Sequence, residues 1–209
     1  MLTRWSNDRD FESAKETDAR LAVNRTPAGA AASGEGFGGA GYLTRWASHM
    51  PALPPIEALI AQLGARGITL PPGPVHADGY GDSAELSEEL LALITSGHKR
   101  AGTGLLWAYQ HDGEHIAQAG DIEIVVDHLH APAMVTRIVS SEIVPYNEVT
   151  AEYAAIEGEG DGSLEYWRRA HWNFFSRECK RIGKEPTESM SVICSIFEVL
   201  HVLPPPSEA

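Results

Sequence analysis

One stretch constrains the fold more than any other: Glu157-Gly158-Glu159-Gly160-Asp161-Gly162-Ser163, followed at once by LEYWRRAHWNFF from Leu164 to Phe175. The spaced glycines permit positive φ angles, so three carboxylates can be presented on one tight turn. Asp161 or Ser163 is placed to cap a helix, and Glu165 falls in its first turn, where a negative charge meets the positive end of the helix dipole. Leu164, Trp167, His171, Phe174 or Phe175, Cys179 and Ile182 then recur at helical spacing, and Gly183 supplies a stop. The pattern predicts a helix that carries a histidine and large rings towards the core directly after a cluster of acids.

The rest of the chain reads in order from its start. Residues 1–49 include AGAAASGEGFGGAGY, which has small side chains and no apolar periodicity. Such a segment buries too little to offset the entropy of ordering, and it is expected to be a disordered or non-native extension, with Met50 as the working start. Leu2-Thr3-Arg4-Trp5 returns as Leu43-Thr44-Arg45-Trp46, but one match of four residues is no repeat architecture. Residues 50–81 read as a short helix with Ile56, Leu59, Ile60 and Leu63 on one side, followed by a Pro- and Gly-rich connector. Asp82 or Ser83 caps a second helix with a Leu86, Leu90, Leu93, Ile94 stripe, closed by Gly97. Beyond it the period becomes strand-like. Lys99 to Tyr109 reads as extended, Ile122 to Asp127 as a strand, Pro132 to Val144 as a long strand with a bend at Ser140-Ser141, and Met190 to Leu203 as the last strand. A brief helix near Thr150 to Ile156 delivers Glu157, and 205–209 is a tail.

This alternation of short strands, turns and two or three helices predicts an α+β fold with a curved or closed sheet. The formal net charge of -13 excludes a protein that grips long polyanions by bulk charge, while leaving room for a local pocket. Two cysteines without a C-x-x-C pattern, and no secretory leader or long apolar run, fit reduced thiols in a cytoplasmic protein without a membrane span.

The acidic loop and its helix resemble the corresponding segment of bacterial activating-signal-cointegrator homology (ASCH) domains. Gly97-His98-Lys99-Arg100-Ala101 is similar to their glycine-x-lysine signature, Gly120-Asp121 to their glycine-aspartate turn, and Phe197-Glu198-Val199 to their last strand. The resemblance spans about Ser83 to Leu203, so residues 82–204 are expected to form the domain. It implies a small PUA-like β-barrel flanked by helices, and RNA or a modified nucleoside as the ligand. It also implies an alternative, because one branch of the family hydrolyses N(4)-acetylcytidine with a lysine, a threonine and a glutamate, and some members cleave single-stranded RNA. By position the lysine falls on Lys99 and the glutamate on Glu157. The threonine position holds Gly102, which has no hydroxyl to activate.

A lysine just after a helix C-cap, entering a strand beside glycines, can be aimed into a concavity, where desolvation makes it reactive. Thr103 is the nearest hydroxyl. On a straight strand it lies ~13 Å from Lys99, at about 3.3 Å per residue, so a catalytic role needs a bend at Gly102 or Gly104. Lys99, Thr103 and Glu157 are therefore the catalytic candidates if the protein is an enzyme. Trp107, Tyr146 and Trp167 offer rings on which a base can stack, Arg137 a clamp for phosphate or carboxylate, and His171 a polar edge on the apolar stripe. Arg100 and Asp161 complete the expected ligand-binding set. Asp127-His128-Leu129-His130 lacks a third ligand at the usual spacing, and no nucleotide loop is present, so no metal or cofactor is expected. Arg168, Arg169, Arg177, Lys180, Arg181 and Lys184 make the outer face of the last helix basic, as either a nucleic-acid contact or a solvated side. The missing hydroxyl at Gly102 favours a binding module over a hydrolase.

Overall fold

The computed structural model describes residues 53–204 apart from Asp82. The expectations for residues 1–49, for Met50 and for the tail lie outside the described residues.

Five strands form one sheet in the order β1-β3-β4-β5-β2, with β1 at Val75–Gly79, β2 at Ala101–Leu105, β3 at Ile122–Val126, β4 at Pro132–Pro145 and β5 at Ser191–Val202. β1 runs parallel to β3, and all other pairs are antiparallel. The ladder between β4 and β5 shifts register between Val135 and Thr136 and between Ile138 and Ser140, and that between β3 and β4 shifts at Val125/Val126. Each extra residue bends its strand and adds twist, so the sheet curls. The second shift lies at the expected Ser140-Ser141 bend, and it leaves Val139 facing solvent. The α+β architecture is realised as a curled half-barrel flanked by helices.

β3 is buried at every position because both its faces are covered. Ile122, Ile124 and Val126 meet Val135, Leu203 and the Leu59 and Leu63 side chains of α1 (Ile56–Ala65). On the opposite, concave face, Val125 joins Met134, Ile138, Phe197 and Ile94 of α2 (Ala84–Thr95). α2 starts where Ser83 Oγ accepts from Leu86 N, and it ends before Gly97, whose φ is +78°. The third cluster lies under α5 (Leu164–Arg181), where Trp167, Phe175 and Cys179 pack on Tyr146, Leu105 and Val192. Ser163 Oγ caps α5 by accepting from Tyr166 N.

Two elements depart from the sequence reading. The connector after α1 contains β1, an edge strand whose Val75 and Ala77 pack on the α1 side while His76 and Asp78 alternate with them. The extended run expected over Lys99 to Tyr109 stops at Leu105. Leu106–Asp112 is a short helix, α3, ended by Gly113 at φ +67°. The aromatic run Leu106-Trp107-Ala108-Tyr109 has strand-forming side chains, but packing of Ala108 and Trp107 into the α5 cluster overrides that local preference. Both cysteines are free and buried. Among the described residues no helix is long and apolar enough to cross a membrane.

The α1 stripe gives a direct test. Leu63 is 0% exposed and Ile60, on the same helix, is 39% exposed. Leu63→Ala is expected to cost about 2–5 kcal/mol in urea unfolding and Ile60→Ala under ~1 kcal/mol.

Candidate ligand site

Two segments distant in sequence meet at the open end of the half-barrel. One is the turn after α2, where His98 N and Lys99 N both donate to Leu93 O and Arg100 N donates to Ile156 O at 3.0 Å. The other is the end of α4 (Ala151–Glu157), which Gly158 closes at φ +68°. A Cβ on Gly158 would overlap the His98 carbonyl oxygen, so only glycine permits this approach. The contact drives Glu157 inward. Lys99 and Glu157 are each 1% exposed.

Lys99 Nζ donates to Glu159 Oε1 at 2.6 Å and to Glu157 Oε1 at 3.4 Å, and it stands 5.6 Å from the centre of the Tyr80 ring. Thr103 Oγ1 lies 2.8 Å from Glu157 Oε2, which also accepts from Trp167 Nε1. His171 Nε2 is 3.5 Å from Glu157 Oε1, and its Nδ1 is 3.0 Å from Trp167 O. Both ring nitrogens face acceptors, an arrangement that the doubly protonated imidazolium satisfies. Tyr153 Oη donates to Gly102 O at 2.8 Å and lies 3.2 Å from Thr103 Oγ1.

Burial alone would push the Glu157 carboxyl up. The Lys99 ammonium, His171 and the Thr103 hydroxyl outweigh it and hold the group well below the usual carboxylate range. Burial likewise disfavours charge on Lys99 and on His171, yet facing carboxylates raise both pKa values above their ordinary positions. Two cations thus balance Glu157 and Glu159. Each buried charge has a partner, as burial of charge requires.

Lys99, Thr103, Glu157, Glu159 and His171 line one cavity of about 610 Å³. Asp78, Glu123 and Tyr80 line it too, and the charges of Glu123, Asp78 and Glu157 all act on the Tyr80 phenol. Glu123 accepts from Thr136 Oγ1 at 3.1 Å, and burial followed by the charge on Asp78 pushes its carboxyl up to about 7. Tyr80 is held well above the usual phenol range, first by burial and then by Glu123 and Asp78.

A protein-family model described as the ASCH domain matches residues 76–201, more than half of the chain. The chain belongs to the ASCH family. It is similar to the solved ASCH domain from Lactobacillus crispatus JV V101, with 36% identity and a TM-score of 0.57 over 60% of this chain and 79% of that one. Protein EF3133 from Enterococcus faecalis V583 is 26% identical with a TM-score of 0.57, covering 70% of this chain and 90% of that one. A search of the curated proteins finds no match. The PUA-like character implied by the sequence holds for the fold.

Within this ASCH domain the expected site residues separate. Lys99, Thr103, Glu157 and His171 line the cavity, and Trp167 stands behind Glu157 as a donor. Strand alternation turns Arg137 to the opposite face from Thr136, where it pairs with Glu198 at 3.1 Å outside the cavity lining. Tyr146 is in the α5 core and donates to Arg168 O at 2.6 Å. Trp107 lies under Lys184 Nζ, 4.8 Å from the ring centre. Arg100 is exposed, and Asp161 accepts from Ser163 N at the start of α5. None of Arg137, Tyr146, Trp107, Arg100 and Asp161 lines the cavity. Part of the basic face of α5 is neutralised, since Arg181 pairs with Asp112 and Glu178.

Sequence reasoning did not single out Glu159, Tyr80, Tyr153 or Glu123. Glu159 sits in the acidic loop already marked, and Val75-His76-Ala77-Asp78 does alternate with period two. That alternation would have placed β1 and brought Tyr80 with it. Gly102, onto which the resemblance places a threonine, lies against Tyr80: a Cβ there would meet the Tyr80 ring at 3.4 Å.

Two outcomes follow from this geometry. Gly158→Ala pays the left-handed backbone cost of about 1–3 kcal/mol and also displaces His98. Gly183→Ala, at φ +70° with open space around it, pays only the first cost. Unfolding measurements are expected to show the Gly158 variant clearly less stable than the Gly183 variant. For Glu123, the folded chain keeps a proton between pH 4.5 and about 7 that the unfolded chain releases. Stability therefore falls as pH rises through that window, by on the order of 3 kcal/mol at most. Glu123→Gln is expected to flatten that slope in urea titrations between pH 5 and 8.

Proposed function

We propose that this ASCH domain binds a nucleoside-sized ligand, free or at an exposed position of single-stranded RNA, in the cavity between Lys99/Glu157 and Asp78/Glu123. The observation that carries this reading is the convergence of a paired lysine and glutamate, a tyrosine ring and a second acidic wall on one cavity of about 610 Å³. Carboxylates outnumber cations along its lining, which disfavours a phosphate inside and favours a neutral ligand rich in N–H donors. The amino edge of a nucleobase has that character. Lys99 uses two of its three N–H bonds on Glu157 and Glu159, so one remains for a carbonyl oxygen of the ligand. Tyr80 supplies a ring at the cavity wall. The overall charge of -13 limits affinity for a long RNA.

A second reading, hydrolysis of an acylated nucleoside, is favoured by one distance: Thr103 Oγ1 is 2.8 Å from Glu157 Oε2. Glu157 would take the hydroxyl proton as Thr103 Oγ1 attacks the acyl carbon with the Lys99 ammonium facing the developing oxyanion, and would pass that proton to the amine nitrogen as the C–N bond breaks; water would then hydrolyse the threonine ester to release acetate. Binding stands first because Glu157, held well below the usual range, is a weak base, and Lys99, held above its own, is no base at neutral pH.

The experiment is to incubate the protein with N(4)-acetylcytidine and with cytidine, following affinity by calorimetry and acetate release by chromatography. Binding without acetate release, weakened at least 10-fold in Lys99→Ala, is the expected result. Acetate release that disappears in Thr103→Val and Glu157→Gln establishes the second reading instead. Absence of binding to either compound and to a single-stranded oligonucleotide overturns both.

A further inference from the structure

Away from the lysine pair, the loop after α3 folds back over the edge strand β1. His115 Nε2 lies 2.6 Å from Asp121 Oδ2, and His76 Nε2 approaches the same oxygen at 4.0 Å. The two imidazoles are stacked, with centres 3.6 Å apart and planes 11° from parallel. Their Nε2 atoms therefore address one point. All three ligand atoms fall within 4.8 Å of one another.

Two features distinguish this group from an ordinary surface ion pair. His76 Nε2 is shielded from solvent, yet no group among the described residues hydrogen-bonds to it. A buried nitrogen of that kind calls for a partner. Asp121 is 3% exposed and is fixed by Gln118 N, which donates to Oδ2 at 2.8 Å, so its carboxylate is oriented as supporting bonds orient metal ligands.

We propose that His76, His115 and Asp121 bind one divalent transition-metal ion of the zinc class, with the remaining coordination positions open to solvent. Two nitrogens and one oxygen at about 2.0–2.2 Å from a shared ion stand roughly 3.3 Å apart from one another. The observed 2.6 and 4.0 Å separations bracket that spacing. His115 is 42% exposed, His76 belongs to β1 and Asp121 immediately precedes β3, so a small movement of the His115 side chain closes the set. The same loop places Glu114 and Ala117 on the wall of the large cavity. An ion here ties residues 113–121 to β1 and stiffens that wall. The inference stands independently of what the cavity binds.

The test uses the full chain, stripped with a chelator and titrated with Zn²⁺ by calorimetry and with Co²⁺ by visible absorption. One ion per chain is expected, with Co²⁺ bands from nitrogen and oxygen ligands and no thiolate charge-transfer band. His115→Gln, His76→Gln and Asp121→Asn should each weaken the affinity at least 10-fold, with folding checked by circular dichroism. His128→Gln, on a separate turn, should leave it unchanged. Because His115 is exposed, its variant stays informative even if the Asp121 variant fails to fold. Binding no tighter than ~100 µM, a thiolate band, or less than 10-fold weakening in His115→Gln overturns the assignment.

Discussion

The buried Glu157 carboxylate is the point on which the domain's open end depends. An isolated carboxylate at that depth would lose its charge, because the cost of desolvation exceeds what packing returns. Here it keeps the charge by accepting from Thr103 and Trp167 while facing Lys99 and His171. Those four partners come from the turn after α2, from β2 and from α5, so one anion joins three parts of the chain. Lys99 in turn draws Glu159 inward, and the acidic loop is held against the barrel mouth.

Local backbone features serve that junction. Gly158 admits the His98 carbonyl at the distance where any side chain would collide, and the backbone bond from Arg100 N to Ile156 O locks the same approach. The curl of the sheet, produced by the register shifts on β4, brings the Glu123 side of the concave face round towards the lysine side. The result is a cavity with one neutralised pole and one acidic pole. A ligand there meets fixed dipoles and paired charges, with no strong net field to attract a polyphosphate chain.

Much of this was legible in the sequence where the pattern was strong. The α5 stripe from Leu164 to Cys179, the Ser163 cap and the glycine stops all follow from period, capping chemistry and backbone freedom, and the structure has them. The convergence of Lys99 and Glu157 rested on resemblance, since nothing local says which of several loop acids turns inward. Thr103 was harder. Straight-strand spacing separates it from Lys99, but the lysine lies before β2 in a turn, so both side chains reach the same carboxylate from different directions. Arg137 and Tyr146 lie outside the cavity, because strand alternation and the α5 core set the face each occupies, which residue type alone does not reveal. The stacked histidines were invisible, for His76 and His115 belong to segments whose meeting depends on the parallel pairing of β1 with β3.

The placement of Trp167 has a spectroscopic consequence. Its indole N–H is bonded to Glu157, and its ring lies 4.3 Å from that of His171, nearly parallel at 17°. A protonated imidazole in face contact with an excited indole accepts electron density and quenches emission. Among the described tryptophans, Trp167 is the one whose emission is coupled by this contact to the charge state of the polar centre.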